Sequence, residues 1–137
     1  MTQLNTGPTD DQQITDPGAI DDDASSEFTE TTSGLKYRVL RKGDGAMPAA
    51  SDSVEVHYKG WLEDGSIFDS SYRRGETISF PLSGVIPGWT EGMQLVGQGG
   101  MIELQIPSDL GYGPRGMPPV IPGGATLQFL VELFDVK

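Results

Sequence analysis

Leu35, Tyr37 and Val39 alternate with Lys36 and Arg38, the period-two pattern of a strand with one face buried. The pattern returns at Val54, Val56 and Tyr58 against Glu55, His57 and Lys59. It returns again at Ile78, Phe80 and Leu82, at Ile102, Leu104 and Ile106, and at Leu127, Phe129, Val131 and Leu133. A shorter interrupted strand over 66–71 follows Glu63-Asp64-Gly65, whose Asp-Gly pair suits a tight hairpin turn. One stretch breaks the alternation. Gly84-Val85-Ile86-Pro87-Gly88-Trp89 leads into Trp89, Met93 and Val96 at i, i+4 and i+7, one face of a helix. Pro87 opens that helix and Gly97 closes it. At about two to three turns it cannot stand alone in water. The sheet has one apolar face, and this helix is its only cover. The pattern therefore predicts an α+β fold: a five- to six-stranded antiparallel sheet wrapped around one short α-helix.

The connections read as turns at 42–45 and 97–100, a polar link at Tyr72-Arg73-Arg74-Gly75, and a long loop from Pro107 to about Gly124. A loop of that length in a compact domain is usually functional. His57 is the one histidine. It shares a face with Glu55 and Lys59, so it is expected to face solvent.

Composition divides the chain in two. Residues 1–33 carry eight of the 20 acidic residues and none of the nine Lys and Arg, so most of the net charge of −11 lies there. This segment has few large apolar residues and reads as an acidic disordered tail; residues 34–137 form the domain. Asp21-Asp22-Asp23 could meet a cation or basic partner, but a solvating role is the simpler reading. No basic patch argues for nucleic acid. No apolar run is long enough for a membrane-spanning helix. The start of the chain has neither a basic n-region nor an apolar h-region, so a cytoplasmic location is expected, although a processed exported chain would look the same. With no cysteine there is no thiol nucleophile, disulfide or thiolate metal ligand. Neither metal nor cofactor is expected.

Trp89 on the helix, Tyr58 and Phe129 on the apolar face, and Phe68 and Tyr112 on adjoining segments would form a shallow aromatic cup with few polar groups. Asp69, beside Phe68, could merely cap a turn. In order along the chain stand Val56-His57-Tyr58-Lys59-Gly60, Leu62-Glu63-Asp64-Gly65 and Phe68-Asp69-Ser70-Ser71. They are followed by Val85-Ile86-Pro87-Gly88-Trp89, Gly111-Tyr112-Gly113, and Ile121-Pro122 with Ala125-Thr126-Leu127. Each motif alone is weak; the ordered set is specific. Over residues 34–137 the chain resembles the FKBP-type peptidyl-prolyl isomerases.

The resemblance implies a pocket with Trp89 as floor and Tyr58, Phe68 and Phe129 as walls. Val85, Ile86 and Ile121 would form the rim. The Ile86 N–H and the Tyr112 hydroxyl would bond the bound peptide, with Asp69 near the reacting amide. Asp69, Tyr112, Trp89 and Phe129 thus become the candidate catalytic residues. Tyr58, Phe68, Ile78, Val85, Ile86, Met117 and Ile121 become the candidate substrate contacts. Ile78 stands where members often carry an aromatic, Gly84 where several carry a polar side chain, and Met117 where well-known single-domain members carry His. The implied partners are proline-containing peptides and unfolded proteins, with a macrolide as possible inhibitor. Residues 1–33 lack the apolar periodicity of a helical dimerisation segment, so a monomer is expected. An active isomerase and a binding module with negligible turnover are both compatible with such a pocket; the joint presence of Tyr58, Asp69, Trp89, Tyr112 and Phe129 favours the isomerase. Pro118-Pro119 is too short to act as a polyproline ligand.

Overall fold

The computed structural model describes residues 16–137. Seven strands and two helical turns follow in chain order: β1 (Thr29–Glu30), β2 (Lys36–Arg41), β3 (Ser53–Leu62), β4 (Ile67–Ser70), α1 (Ser71–Arg74), β5 (Ile78–Pro81), α2 (Pro87–Gly92), β6 (Met101–Ile106) and β7 (Leu127–Val136). They make one sheet in the order β1-β2-β6-β7-β3-β4, with β5 also on β3. Every pairing is antiparallel. The expected architecture stands, with β1 as an added edge strand. Among the described residues no helix is long and apolar enough to cross a membrane.

The core sits where the alternation predicts. Val54, Val56 and Tyr58 of β3 meet Phe129, Val131 and Leu133 of β7 and Ile102, Leu104 and Ile106 of β6 on one face, closed over by Trp89 and Met93. Two glycines decide how closely α2 can lie on that face. A Cβ on Gly88 would stand 2.6 Å from Ile106 Cγ2, and one on Gly92 2.6 Å from Leu104 Cδ2. The helix backbone thus rests directly on β6 side chains. α2 begins at Pro87 as expected but ends at Gly92; a 3₁₀ turn over Met93–Leu95 follows, and Val96 is already extended. The tighter 3₁₀ winding finishes the helix and still leaves Met93 and Val96 in the core.

Three expectations change. The first concerns the described part of the expected tail. Residues 16–33 lie along β2: Asp21 N–H donates to Leu40 O at 2.8 Å, Arg41 Nη1 to Ala19 O at 2.7 Å, and Thr29–Glu30 pair with Lys36–Tyr37. Backbone bonds and an arginine hold this stretch, so its poverty in apolar residues did not reveal it. The remainder of the expected tail, residues 1–15, lies outside the described residues. The polar link at 72–75 is a helical turn, capped by Ser70, whose side chain accepts from Arg73 N–H, and closed by Gly75 at φ 72°.

His57 is the third change. It is only 2% exposed. Alternation points it correctly to the outer face, but α1 and β7 cover that face: Tyr72 stacks on the imidazole at 4.6 Å, and Phe134 meets it edge-on at 5.7 Å. Beside it, buried Glu132 accepts hydrogen bonds from the Tyr72 hydroxyl at 2.6 Å and Arg41 Nη2 at 2.8 Å.

Candidate active site

The outer edge of β3 is shared by two strands. β4 pairs with it from Lys59 to Trp61, and β5 from Ser53 to Val56. Between them the sheet opens, and α2 crosses beneath the opening. A cavity of about 440 Å³ lies there. Trp89, supplied by α2, is its floor. Tyr58, Phe80 and Phe129 stand edge-on around the indole, with ring centroids 5.3, 5.6 and 5.4 Å away. Phe68 meets Phe129 edge-on at 5.5 Å. Edge-to-face packing is the favoured arrangement of such rings. Val85, Ile86 and Gly84, in the turn before α2, and Tyr112, in the loop before β7, complete the lining.

One wall is polar. Asp69 Oδ1 accepts from Arg74 Nη1 at 2.7 Å and from the Ser70 N–H at 2.9 Å, and Oδ2 accepts from the Tyr58 hydroxyl. Burial pushes the Asp69 carboxyl up, but the bonds from Tyr58 and Arg74 and the Arg74 charge outweigh it and hold the group below the ordinary carboxylate value. Burial, with the bond to Asp69, pushes the Tyr58 phenol up to about 12. At neutral pH the wall therefore presents a fixed carboxylate and a neutral phenol whose proton is already committed.

Of the residues expected at the site, the fold brings together Tyr58, Phe68, Asp69, Val85, Ile86, Trp89, Tyr112 and Phe129. Three stand elsewhere. Ile78 pairs with Val56 and packs against the core. Ile121 is itself core, and Met117 is 50% exposed where it bridges to Ile121 in the long loop. The loop folds back there through Met117 N–H to Ile121 O at 2.8 Å. Gly84, singled out in the sequence as a departure from the family pattern, does line the cavity, and Phe80 is the lining residue that the sequence reading lacks. Phe80 carried a readable signal: it lies on the same strand face as Ile78, is aromatic, and is closer to Trp89 in sequence. Arg74, which anchors Asp69, carried none, because its meeting with Asp69 depends on the turn of α1.

The family model described as FKBP-type peptidyl-prolyl cis-trans isomerase matches residues 45–134. The chain is 48% identical over 118 residues to the FKBP-type 22 kDa peptidyl-prolyl cis-trans isomerase of Escherichia coli (strain K12), covering 85% of this chain and 57% of that protein. It is 54% identical over 107 residues to the FKBP-type peptidyl-prolyl cis-trans isomerase FkpA of the same strain, covering 78% of this chain and 39% of that protein. The chain thus spans about half the length of these relatives. Among solved structures, FkpA from Escherichia coli superposes with a TM-score of 0.79 at 51% identity over 82% of this chain and 53% of that one. A peptidyl-prolyl cis-trans isomerase from Pseudomonas syringae superposes with a TM-score of 0.76 at 37% identity over 82% of this chain and 83% of that one.

Proposed function

The chain belongs to the FKBP-type peptidyl-prolyl cis-trans isomerase family, and on that premise we propose that it catalyses rotation about X-Pro bonds in peptides and unfolded proteins. The observation that carries the reading is the cup itself: three aromatic rings stand edge-on over Trp89, with a single charged side chain at the border.

An X-Pro amide resists rotation by about 18–20 kcal/mol because rotation destroys its partial double bond. The twisted amide loses the charge-separated resonance form and is less polar than the planar one. An apolar cup therefore binds the twisted state better than the ground state, which lowers the barrier. Each tenfold of rate requires about 1.4 kcal/mol of this difference. In the proposed roles Trp89 carries the proline ring, while Tyr58, Phe68, Phe80 and Phe129 exclude water. The Ile86 N–H and the Tyr112 hydroxyl hold the peptide backbone. Asp69, already ionised, contributes a fixed field at the amide and no proton transfer.

Turnover of a short X-Pro peptide, followed with saturating unlabelled proline peptide as competitor, tests the reading. Binding without acceleration would make the chain a binding module instead. We expect kcat/KM for a Leu-Pro peptide to exceed that for Glu-Pro by about tenfold, because Val85, Ile86 and Phe80 line the mouth and Asp69 repels a second carboxylate. Equal values would refute that preference. The reading extends to a macrolide competing with peptide for the cavity, checked by loss of activity at saturating drug. It further extends to a monomer, checked by light scattering.

A further inference from the structure

Where β4 has ended and β5 has not begun, Tyr58 has no strand on the outer edge of β3. A side chain takes the place of that strand. Ser71 Oγ, fully buried, accepts from the Tyr58 N–H at 2.7 Å and reaches the Tyr58 carbonyl at 3.2 Å. The same oxygen lies 2.7 Å from His57 Nδ1. We propose that Ser71 and His57 are positioning residues for the isomerase reaction, with Ser71 holding the Tyr58 wall in register and His57 setting which way the Ser71 hydroxyl points. The proposal rests on the isomerase reading above.

Proton counting gives the link. Ser71 has one proton and two acceptors within reach, His57 Nδ1 and the Tyr58 carbonyl. With Nδ1 unprotonated, the shorter contact takes it and Ser71 donates to His57. With the imidazole doubly protonated, Nδ1–H must donate to Ser71 Oγ, and the Ser71 proton turns to the Tyr58 carbonyl. Charging His57 therefore rewrites the bonds on the backbone of a residue whose ring packs on Trp89 and whose hydroxyl holds Asp69.

The groups that face the imidazole are known. From α1 come Ser71, Tyr72 and Arg74, and from β7 come Glu132 and Phe134; Glu55 and Lys59 flank it on β3. The Arg74 guanidinium is bonded to Asp69, and Glu132 to Tyr72 and Arg41. Burial holds His57 below its ordinary value; the Glu132 charge opposes this and Arg74 adds to it. The change in bonding thus falls below the ordinary histidine value, with Tyr58 still neutral.

The experiment follows two signals in the same protein between about pH 5 and 8, a window set by the reference histidine value. One is kcat/KM on an X-Pro peptide. The other is the Tyr58 amide resonance, read beside the His57 imidazole. The Tyr58 amide is expected to titrate with the His57 midpoint, and kcat/KM to change by at least about threefold through it. Ser71→Ala should uncouple the amide from a His57 that still titrates, and His57→Gln should flatten both curves. A Tyr58 amide that ignores His57 in the unaltered chain, or a Ser71→Ala protein with the original pH profile, would overturn the proposal. If Ser71→Ala fails to fold, the unaltered chain and His57→Gln decide. A chain inactive at every pH would defeat the isomerase reading, and the amide resonance alone would then uphold or overturn the coupling.

Discussion

Tyr58 and His57 are neighbours on one strand, and their side chains enter opposite worlds. Tyr58 faces a cup of rings held by apolar contact, open to whatever apolar group fits it. His57 faces a closed layer of specific pairs: Ser71 Oγ for the imidazole Nδ1, and Tyr72 and Arg41 for Glu132. The first face gains its stability from area, which is non-directional and tolerates an opening. The second gains little net energy from charges taken out of water and depends on geometry instead, since one lost partner strands a buried group. A working cavity can therefore be cut into the apolar side of the sheet, provided the polar side fixes the backbone that carries the cavity wall.

The largest effect should come from the apolar side. Trp89→Ala removes cup floor and core filler together, so it should cost roughly 3–5 kcal/mol of stability and most of the isomerase activity. Denaturant titration beside a peptide assay reads both, and retention of either would break the assignment. Glu132→Gln strikes the other side. It leaves Arg41 without its carboxylate, and because Arg41 is partly exposed the loss should be about 2 kcal/mol. Activity at pH 8 should stay within about twofold, since Glu132 lies behind the sheet. A tenfold fall in kcat/KM would show that the two faces are not separable. Removing residues 1–33 also tests the polar side, through lost bonds to Leu40 and Arg41, and should lower stability by about 1–2 kcal/mol. An unchanged melting temperature would mean that the strap contributes nothing. The smallest stability change belongs to Tyr112→Phe, under about 1 kcal/mol, with peptide turnover reduced several-fold. Equal destabilisation by Tyr112→Phe and Trp89→Ala would erase the distinction between rim and floor.

The same contrast explains what could be read beforehand. Period-two alternation gave the long strands and the inward direction of Tyr58 and Phe129, because apolar burial leaves a regular trace. Ser70 and Gly75, the start and stop of α1, were visible as residue types, but four residues are too few to show a helical period. Without α1 nothing in the pattern covers His57, so the face it shares with Glu55 and Lys59 looks wet. Resemblance makes Ile78 and Met117 candidate substrate contacts, whereas their positions follow from a strand register and a loop closure that the sequence does not display. The hydrogen-bonded strap over 16–33 left no trace in hydropathy.

One consequence concerns assembly in time. β7 comes last in chain order yet lies between β6 and β3. Without it the sheet falls into two pieces, β1-β2-β6 and a β3 flanked by β4 and β5, that share no ladder. The register running from Val54 against Val136 to Leu62 against Leu127 must close across most of the domain. Closure of so long a loop costs entropy before any pairing repays it, which makes such topologies slow. On the ribosome, until residues 127–136 have emerged, each piece carries an unpaired edge of the kind that invites other chains. A protein proposed to hasten the folding of others is thus, by its own topology, committed to finish late.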